Sequence, residues 1–300
     1  MRILITGATG LVGQNIVKHC HKSDIDVNYL TTSQSKIVSE TNYQGFYWNP
    51  AKNEIDADCL KNVSTIINLA GASIAKSWTK SYKKEILNSR IDSLNTLKKC
   101  LSENKHQIEH LVSASAVGLY KDSLTKLHQE EDYEKGEDFL TEVVEKWEAA
   151  ADEFEDLGLE VSKVRIGVVL SENDGALEKI KSPIEKYVGA PLGSGKQWQS
   201  WIHIDDLASI FLHLVELNLE GTFNAVAPNP VNNKELTKAI AKQLKKPLIL
   251  PNVPKFVLKL MLGEMSTIVL GSQLVSAKKI QSTGFDFSFS QIDKALEDLL

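Results

Sequence analysis

The segment that most constrains this chain lies at its start, where the short apolar run Arg2-Ile3-Leu4-Ile5-Thr6 passes directly into Gly7-Ala8-Thr9-Gly10-Leu11-Val12-Gly13. A buried strand ending on glycine, followed from Leu11 to His21 by helical apolar spacing, predicts the first βαβ unit of a parallel sheet. Glycines at the first, fourth and seventh positions of the loop meet three demands: a turn without a Cβ, close backbone approach to a pyrophosphate, and a helix packed tightly against its strand. The start of that helix offers free N–H groups and partial positive charge to phosphate oxygens. Gly7, Thr9, Gly10, Leu11, Val12 and Gly13 are therefore the expected phosphate-binding residues.

Strands alternating with amphipathic helices continue along the chain. Further strands are predicted at 27–31, 46–48, 64–68, 110–113 and 160–166, and helices at 82–101 and 139–154. After Leu170 the rhythm changes, and residues 171–200, with Gly175, Pro183, Gly189, Pro191, Gly193 and Gly195, are expected to form an irregular excursion. A strand and helix follow over 202–216, then a last sheet strand at 222–226. From Asn233 the chain reads as mainly helical, broken at Pro247, Pro251 and Pro254. The expected fold is α/β, a Rossmann-like doubly wound parallel sheet with a smaller, mainly helical C-terminal cap. Residues 1–170 with 202–230 would form the dinucleotide-binding domain, and 171–201 with 231–300 the substrate or cap region.

Composition narrows the partners. The 300 residues carry 34 basic and 39 acidic side chains, a net charge of −5, which disfavours a general electrostatic grip on nucleic acid. The apolar stretch 256–275 is broken by Lys259 and Glu264, too short for a membrane span. The N-terminal run is too short for a signal-peptide core. Cys20, Cys59 and Cys100 are odd in number and widely spaced, fitting a reducing compartment. These features predict a cytoplasmic protein with neither nucleic-acid nor membrane partner. No metal is expected, because His19-Cys20-His21 on a helix point in different directions. Leu192-Gly193-Ser194-Gly195-Lys196-Gln197 lacks the first glycine and the Ser/Thr of a nucleoside-triphosphate loop.

The end of the second strand bears on the choice of dinucleotide. An acid there would bind the ribose hydroxyls of NAD and repel a 2′-phosphate. Here Thr31-Thr32-Ser33-Gln34-Ser35-Lys36 has hydroxyls and a lysine but no acid, which favours NADP(H) over NAD(H), with Thr31, Thr32 and Ser33 as contacts.

Three more segments join the loop: Asn68-Leu69-Ala70-Gly71-Ala72, Ser113-Ala114-Ser115-Ala116-Val117-Gly118, and Trp201-Ile202-His203-Ile204-Asp205-Asp206-Leu207. Together the chain resembles an extended short-chain dehydrogenase/reductase of the NAD(P)-dependent epimerase type. Trp147-Glu148-Ala149-Ala150-Ala151 and Leu262-Gly263-Glu264-Met265 make it similar to the atypical branch that ends in a domain of unknown function. The resemblance implies cofactor contacts from Leu69, Ala70, Gly71 and Ser113. It also implies that Ser115 holds a substrate oxygen. Working members pair a Tyr with a Lys four residues on; the corresponding helix here, Phe139-Leu140-Thr141-Glu142-Val143-Val144-Glu145-Lys146-Trp147, has no Tyr-x-x-x-Lys, and Tyr133 is followed at that spacing by Glu137. Tyr120 is the substitute acid to consider. Arg90, with Glu85, stands on the long helix as a clamp for phosphate or ribose oxygens. Trp198 and Trp201 are expected to border the substrate cleft, and His203 to be structural beside a helix cap formed by Asp205-Asp206.

Two functions fit these residues. One is an NADP(H)-binding, epimerase-like oxidoreductase acting on a small carbonyl or nucleotide-sugar-like substrate. The other is an NADPH-binding sensor or scaffold without turnover.

Overall fold

In the computed structural model, which describes residues 1–132, 134–172 and 174–300, strand β1 (Arg2–Thr6) lies at the centre of the sheet. Ile3, Leu4 and Ile5 are fully buried, as expected of a strand covered on both faces. On one side β1 pairs in parallel with β2 (Asp26–Thr31), which pairs with β3 (Tyr43–Asn49). On the other side follow β4 (Thr65–Asn68), β5 (His110–Ala116), β6 (Glu160–Ile166) and β7 (Gly221–Ala225), all parallel. The order β3-β2-β1-β4-β5-β6-β7 reverses between β1 and β4, so the carboxyl ends of those two strands open the crevice where such sheets bind ligands. Short antiparallel partners at 39–40 and 54–55 cap β3.

Helices flank the sheet. α1 (Leu11–Lys22) packs against α5 (Ile204–Glu216), joined by Asn15 Nδ2 donating to Asp205 Oδ1 at 2.8 Å. α2 (Lys80–Glu103) packs against α3 (Phe139–Asp152). The excursion expected over 171–200 holds a regular element after all, α4 (Ala176–Glu185). Its Leu177 and Ile184, two turns apart, bury into a second core with Trp201, Leu236, Ile240 and Leu296. That burial outweighs Pro183, which sits near the helix end where few backbone bonds remain to be lost. The C-terminal region is helical: α6 (Asn233–Gln243), α7 (Lys255–Leu262), short turns of helix at 266–270 and 278–282, and a last helix at 292–299. Among the described residues no helix is long and apolar enough to cross a membrane.

The sheet also buries a histidine. His110 Nε2 lies 2.8 Å from Ser162 Oγ, and its Nδ1 has no partner. Burial pushes its pKa down to about 4, against a weaker opposing effect of the Leu219 carbonyl. A base whose folded pKa is depressed gives stability that is full above its unfolded pKa of about 6.5 and is lost as pH falls toward the folded value. Urea midpoints should therefore drop between pH 7 and pH 5, and His110→Gln should flatten that drop.

Candidate cofactor cleft

The glycine loop is built as its spacing demands. Gly7 has φ +72°, and Gly10 N–H closes the turn on the Gly7 carbonyl at 3.0 Å. A Cβ on Gly13 would stand 2.2 Å from the Gly7 oxygen and 2.6 Å from Ala8 Cα, so only glycine lets α1 start this close to the turn. Gly10 caps α1 without a side-chain hydrogen bond, and the first turn holds no acid. The N–H groups of the first helical turn thus have no intrahelical acceptor, and their partial charge faces the crevice uncompensated.

Beneath the loop, Thr6 ties three strands together. Its Oγ1 accepts from the Leu69 and Ala70 N–H groups at 3.0 and 3.1 Å and donates to Asn68 Oδ1 at 2.8 Å. Asn68 Nδ2 in turn donates to Ser113 Oγ at 3.2 Å. Ser113 is fully buried, so it stiffens the crevice floor rather than facing it. At the end of β2, Thr31 Oγ1 accepts from Ser33 N–H and Ser33 Oγ lies 2.9 Å from Ser35 Oγ. Thr32 and Lys36 are exposed there.

Arg90 reaches the same place from α2. A Cβ on Gly71 would meet its guanidinium carbon at 3.0 Å. Nη1 donates to the Ile86 and Ala72 carbonyls at 2.8 and 3.2 Å, and the guanidinium lies over the Trp147 ring at 4.9 Å. Nε is buried without a partner, and no carboxylate pairs with this side chain among the described residues. Burial lowers its pKa to about 10, which leaves it cationic at neutral pH. Arg90 also lines a cleft of about 750 Å³. One wall is apolar, built by Leu140, Val143, Val144 and Trp147 of α3; the exposed Lys255 and Lys259 of α7 also line the cleft.

Several expected site residues point elsewhere. Ser115 is buried and donates to Glu148 Oε1 at 2.5 Å. Glu148 forms a two-pronged pair with Arg165 at 2.8 and 2.9 Å. Arg165 also donates to the Tyr120 hydroxyl at 2.9 Å, and that hydroxyl donates to Asn224 Oδ1 at 2.7 Å. Tyr120 lines the cleft, but the residue is buried and its hydroxyl is held in the core. Burial pushes its pKa up to about 12, outweighing the nearby Arg165. Neither hydroxyl is free to meet a substrate in this arrangement, because the buried Glu148–Arg165 pair engages both, Ser115 through the carboxylate and Tyr120 through the guanidinium. Glu85 is exposed, on a different side of α2 from Arg90. Trp201 is fully buried, its indole donating to the Asn229 carbonyl, and Trp198 donates to Leu124. Neither tryptophan lines the cleft. His203 itself caps α5 by accepting from Asp205 N–H at 3.1 Å, displacing Asp205-Asp206 from that role. Tyr133 lies outside the described residues.

Sequence reasoning missed the Glu148–Arg165 pair. The one signal was Arg165 itself, set between Val164 and Ile166 near the end of β6, where a buried guanidinium calls for a buried anion. The lysines of α7 carried no signal, since only tertiary packing brings them to the cleft.

This fold and crevice define a dinucleotide-binding protein of the epimerase type. The family model described as NAD dependent epimerase/dehydratase matches residues 3–226, and a domain of unknown function, DUF1731, matches 253–299. An epimerase family protein of Staphylococcus saprophyticus is 41% identical, over 99% of this chain and 98% of its own. Among solved structures, human epimerase family protein SDR39U1, determined with NADPH, is 28% identical with a TM-score of 0.87, covering 100% of this chain and 99% of that one. A nucleoside-diphosphate sugar epimerase of Corynebacterium glutamicum is 29% identical with a TM-score of 0.80, covering 100% of this chain and 58% of that one. The chain belongs to the NAD dependent epimerase/dehydratase family.

Proposed function

We propose that this protein is an NADP(H)-dependent oxidoreductase that reduces a small, apolar, conjugated carbonyl compound. The observation that carries the reading is the cleft's asymmetry. It has an unpaired guanidinium at Arg90 and an apolar wall on α3, where a Tyr/Lys pair would otherwise stand. Residues 1–170 with 202–230 would hold the dinucleotide, and 171–201 with 231–300 would close over the substrate, in the reducing cytoplasm that three buried free cysteines suit.

The residues fit the cofactor. The glycine loop has room for a pyrophosphate only because Gly7, Gly10 and Gly13 lack Cβ atoms. Arg90 supplies the cation for a phosphate or ribose oxygen, and the hydroxyls of 31–35 accept a 2′-phosphate with no carboxylate to repel it. NADPH in the human relative supports the same choice. When bound, the cofactor supplies a hydride. The α3 wall excludes water from the acceptor, and Trp147 holds Arg90 in place. With Ser115 and Tyr120 engaged in the core, water at the cleft mouth supplies the proton. That suits a conjugated acceptor, whose reduced oxygen is a weak base, better than a simple ketone or a sugar.

The experiment has two arms. NADPH should bind more tightly than NADH, and Arg90→Ala should weaken NADPH roughly 10–100-fold, the loss of a charge-assisted hydrogen bond. Across quinones, enones, aldehydes and nucleotide sugars, the conjugated apolar compounds should oxidise NADPH, and Ser115→Ala should retain that activity. Tight NADPH binding with no turnover on any compound would favour the second reading, a non-catalytic NADPH sensor, whose support is the same engagement of Ser115 and Tyr120.

A further inference from the structure

Helix α7 presents an apolar face to solvent. Phe256, Leu260 and Met261 are 72%, 86% and 74% exposed, with Phe256 and Leu260 one turn apart on the same side. Leu258 alone is buried in this helix. Ile249 and Leu250, just before it, are exposed as well. The neighbouring Tyr187 and Val188 are also exposed, and Lys246 Nζ donates to the Tyr187 hydroxyl at 2.8 Å. Of the fourteen exposed large apolar side chains among the described residues, seven fall in these two stretches, more than scattered surface residues account for.

Charge selects what covers this face. Residues 234–262 contain seven lysines and one glutamate, in a chain whose net charge is −5. Lys245, Lys246, Lys255 and Lys259 stand among the apolar side chains. The acid that follows α7, Glu264, is paired with Lys83. A second copy of the chain would bring lysines against lysines, whereas an anionic surface would neutralise them. An exposed apolar helix face edged by lysines is the pattern of interfacial helices at the headgroup boundary.

We propose that α7 and the loop before it dock this protein peripherally on an anionic phospholipid bilayer. The expectation of no membrane partner then narrows to the absence of a span, and the cleft rim formed by Lys255 and Lys259 would open close to the lipid surface.

Co-sedimentation of the full-length protein with vesicles tests this without reference to turnover. The protein should pellet with vesicles of phosphatidylcholine and phosphatidylglycerol, remain in solution with phosphatidylcholine alone, and be released by salt. Replacing Lys245 and Lys246 with Gln should weaken binding roughly fivefold for each lysine removed. Phe256→Ser with Leu260→Ser should abolish pelleting while leaving NADPH affinity unchanged, which shows that the variant is folded. Failure to pellet with anionic vesicles, or equal pelleting with neutral ones, would overturn the proposal. So would pelleting that survives the Phe256/Leu260 change. A concentration-dependent dimer abolished by Phe256→Ser would overturn it too, by assigning the face to a second copy.

Discussion

Replacement of Arg165 by Met is expected to destabilise the fold by about 3–5 kcal/mol, the cost of removing one partner from a buried ion pair. Both side chains are nearly enclosed, and the guanidinium also holds the Tyr120 hydroxyl and the Glu130 carbonyl. Without Arg165, the Glu148 carboxylate keeps only Ser115 for company. Glu148→Leu combined with Arg165→Met should recover most of the loss, because neither charge of the pair is left buried alone. Ser115→Ala alone should cost far less. The readout is the denaturant midpoint of the three variants, and equal losses in Arg165→Met and the double variant would refute the arrangement. The same pair has a pH signature. Burial pushes the Glu148 carboxyl upward, but the hydrogen bonds and charge of Arg165 outweigh it and hold the pKa below the usual carboxylate range. Its contribution is therefore present above the unfolded pKa near 4.5 and lost as pH falls through the lower folded value. The His110 effect is lost at higher pH, so the two can be separated by titration.

Gly13→Ala should weaken dinucleotide binding roughly 10–100-fold, following about 1–3 kcal/mol of overpacking. Its new methyl meets backbone atoms of Gly7 and Ala8, which no side-chain rotation can relieve. The start of α1 must therefore swing away from the crevice, taking the phosphate-binding N–H groups with it. Gly10→Ala makes a useful contrast. Its Cβ would lie 3.3 Å from the Gly7 oxygen at an exposed position, so thermal stability should hold while the methyl obstructs the approaching pyrophosphate. Fluorescence titration with NADPH beside a melting curve separates the two. A Gly13→Ala protein that binds NADPH like the parent would remove the loop from the site.

The sequence by itself determined the sheet and its loop. The run Ile3-Leu4-Ile5 is apolar because its strand is covered on both faces, and Gly7, Gly10 and Gly13 are dictated by backbone geometry a few residues away. Such local and periodic demands leave a mark on the chain itself. β6 (Glu160–Ile166) and the helix starting at Phe139 stand where the pattern placed them. The excursion at 171–200 misled because glycine and proline speak of local preference, whereas α4 is held by burial of Leu177 and Ile184 against residues far along the chain. Tertiary structure alone decided which candidates meet at the cleft. Ser115 and Tyr120 have the right residue types at the end of β5, but Arg165, one strand over, draws both hydroxyls into a network reaching Asn224 on β7. Arg90 was legible as a cation, yet only the fold shows that it has no anion of its own among the described residues and leans on Gly71 and Trp147. The lysines of α7, more than a hundred and fifty residues from Arg90 in sequence, reach the same cleft only through long-range packing. Spacing in a sequence reports neighbours on one strand or helix; the partner that satisfies or leaves open a buried charge comes from another element.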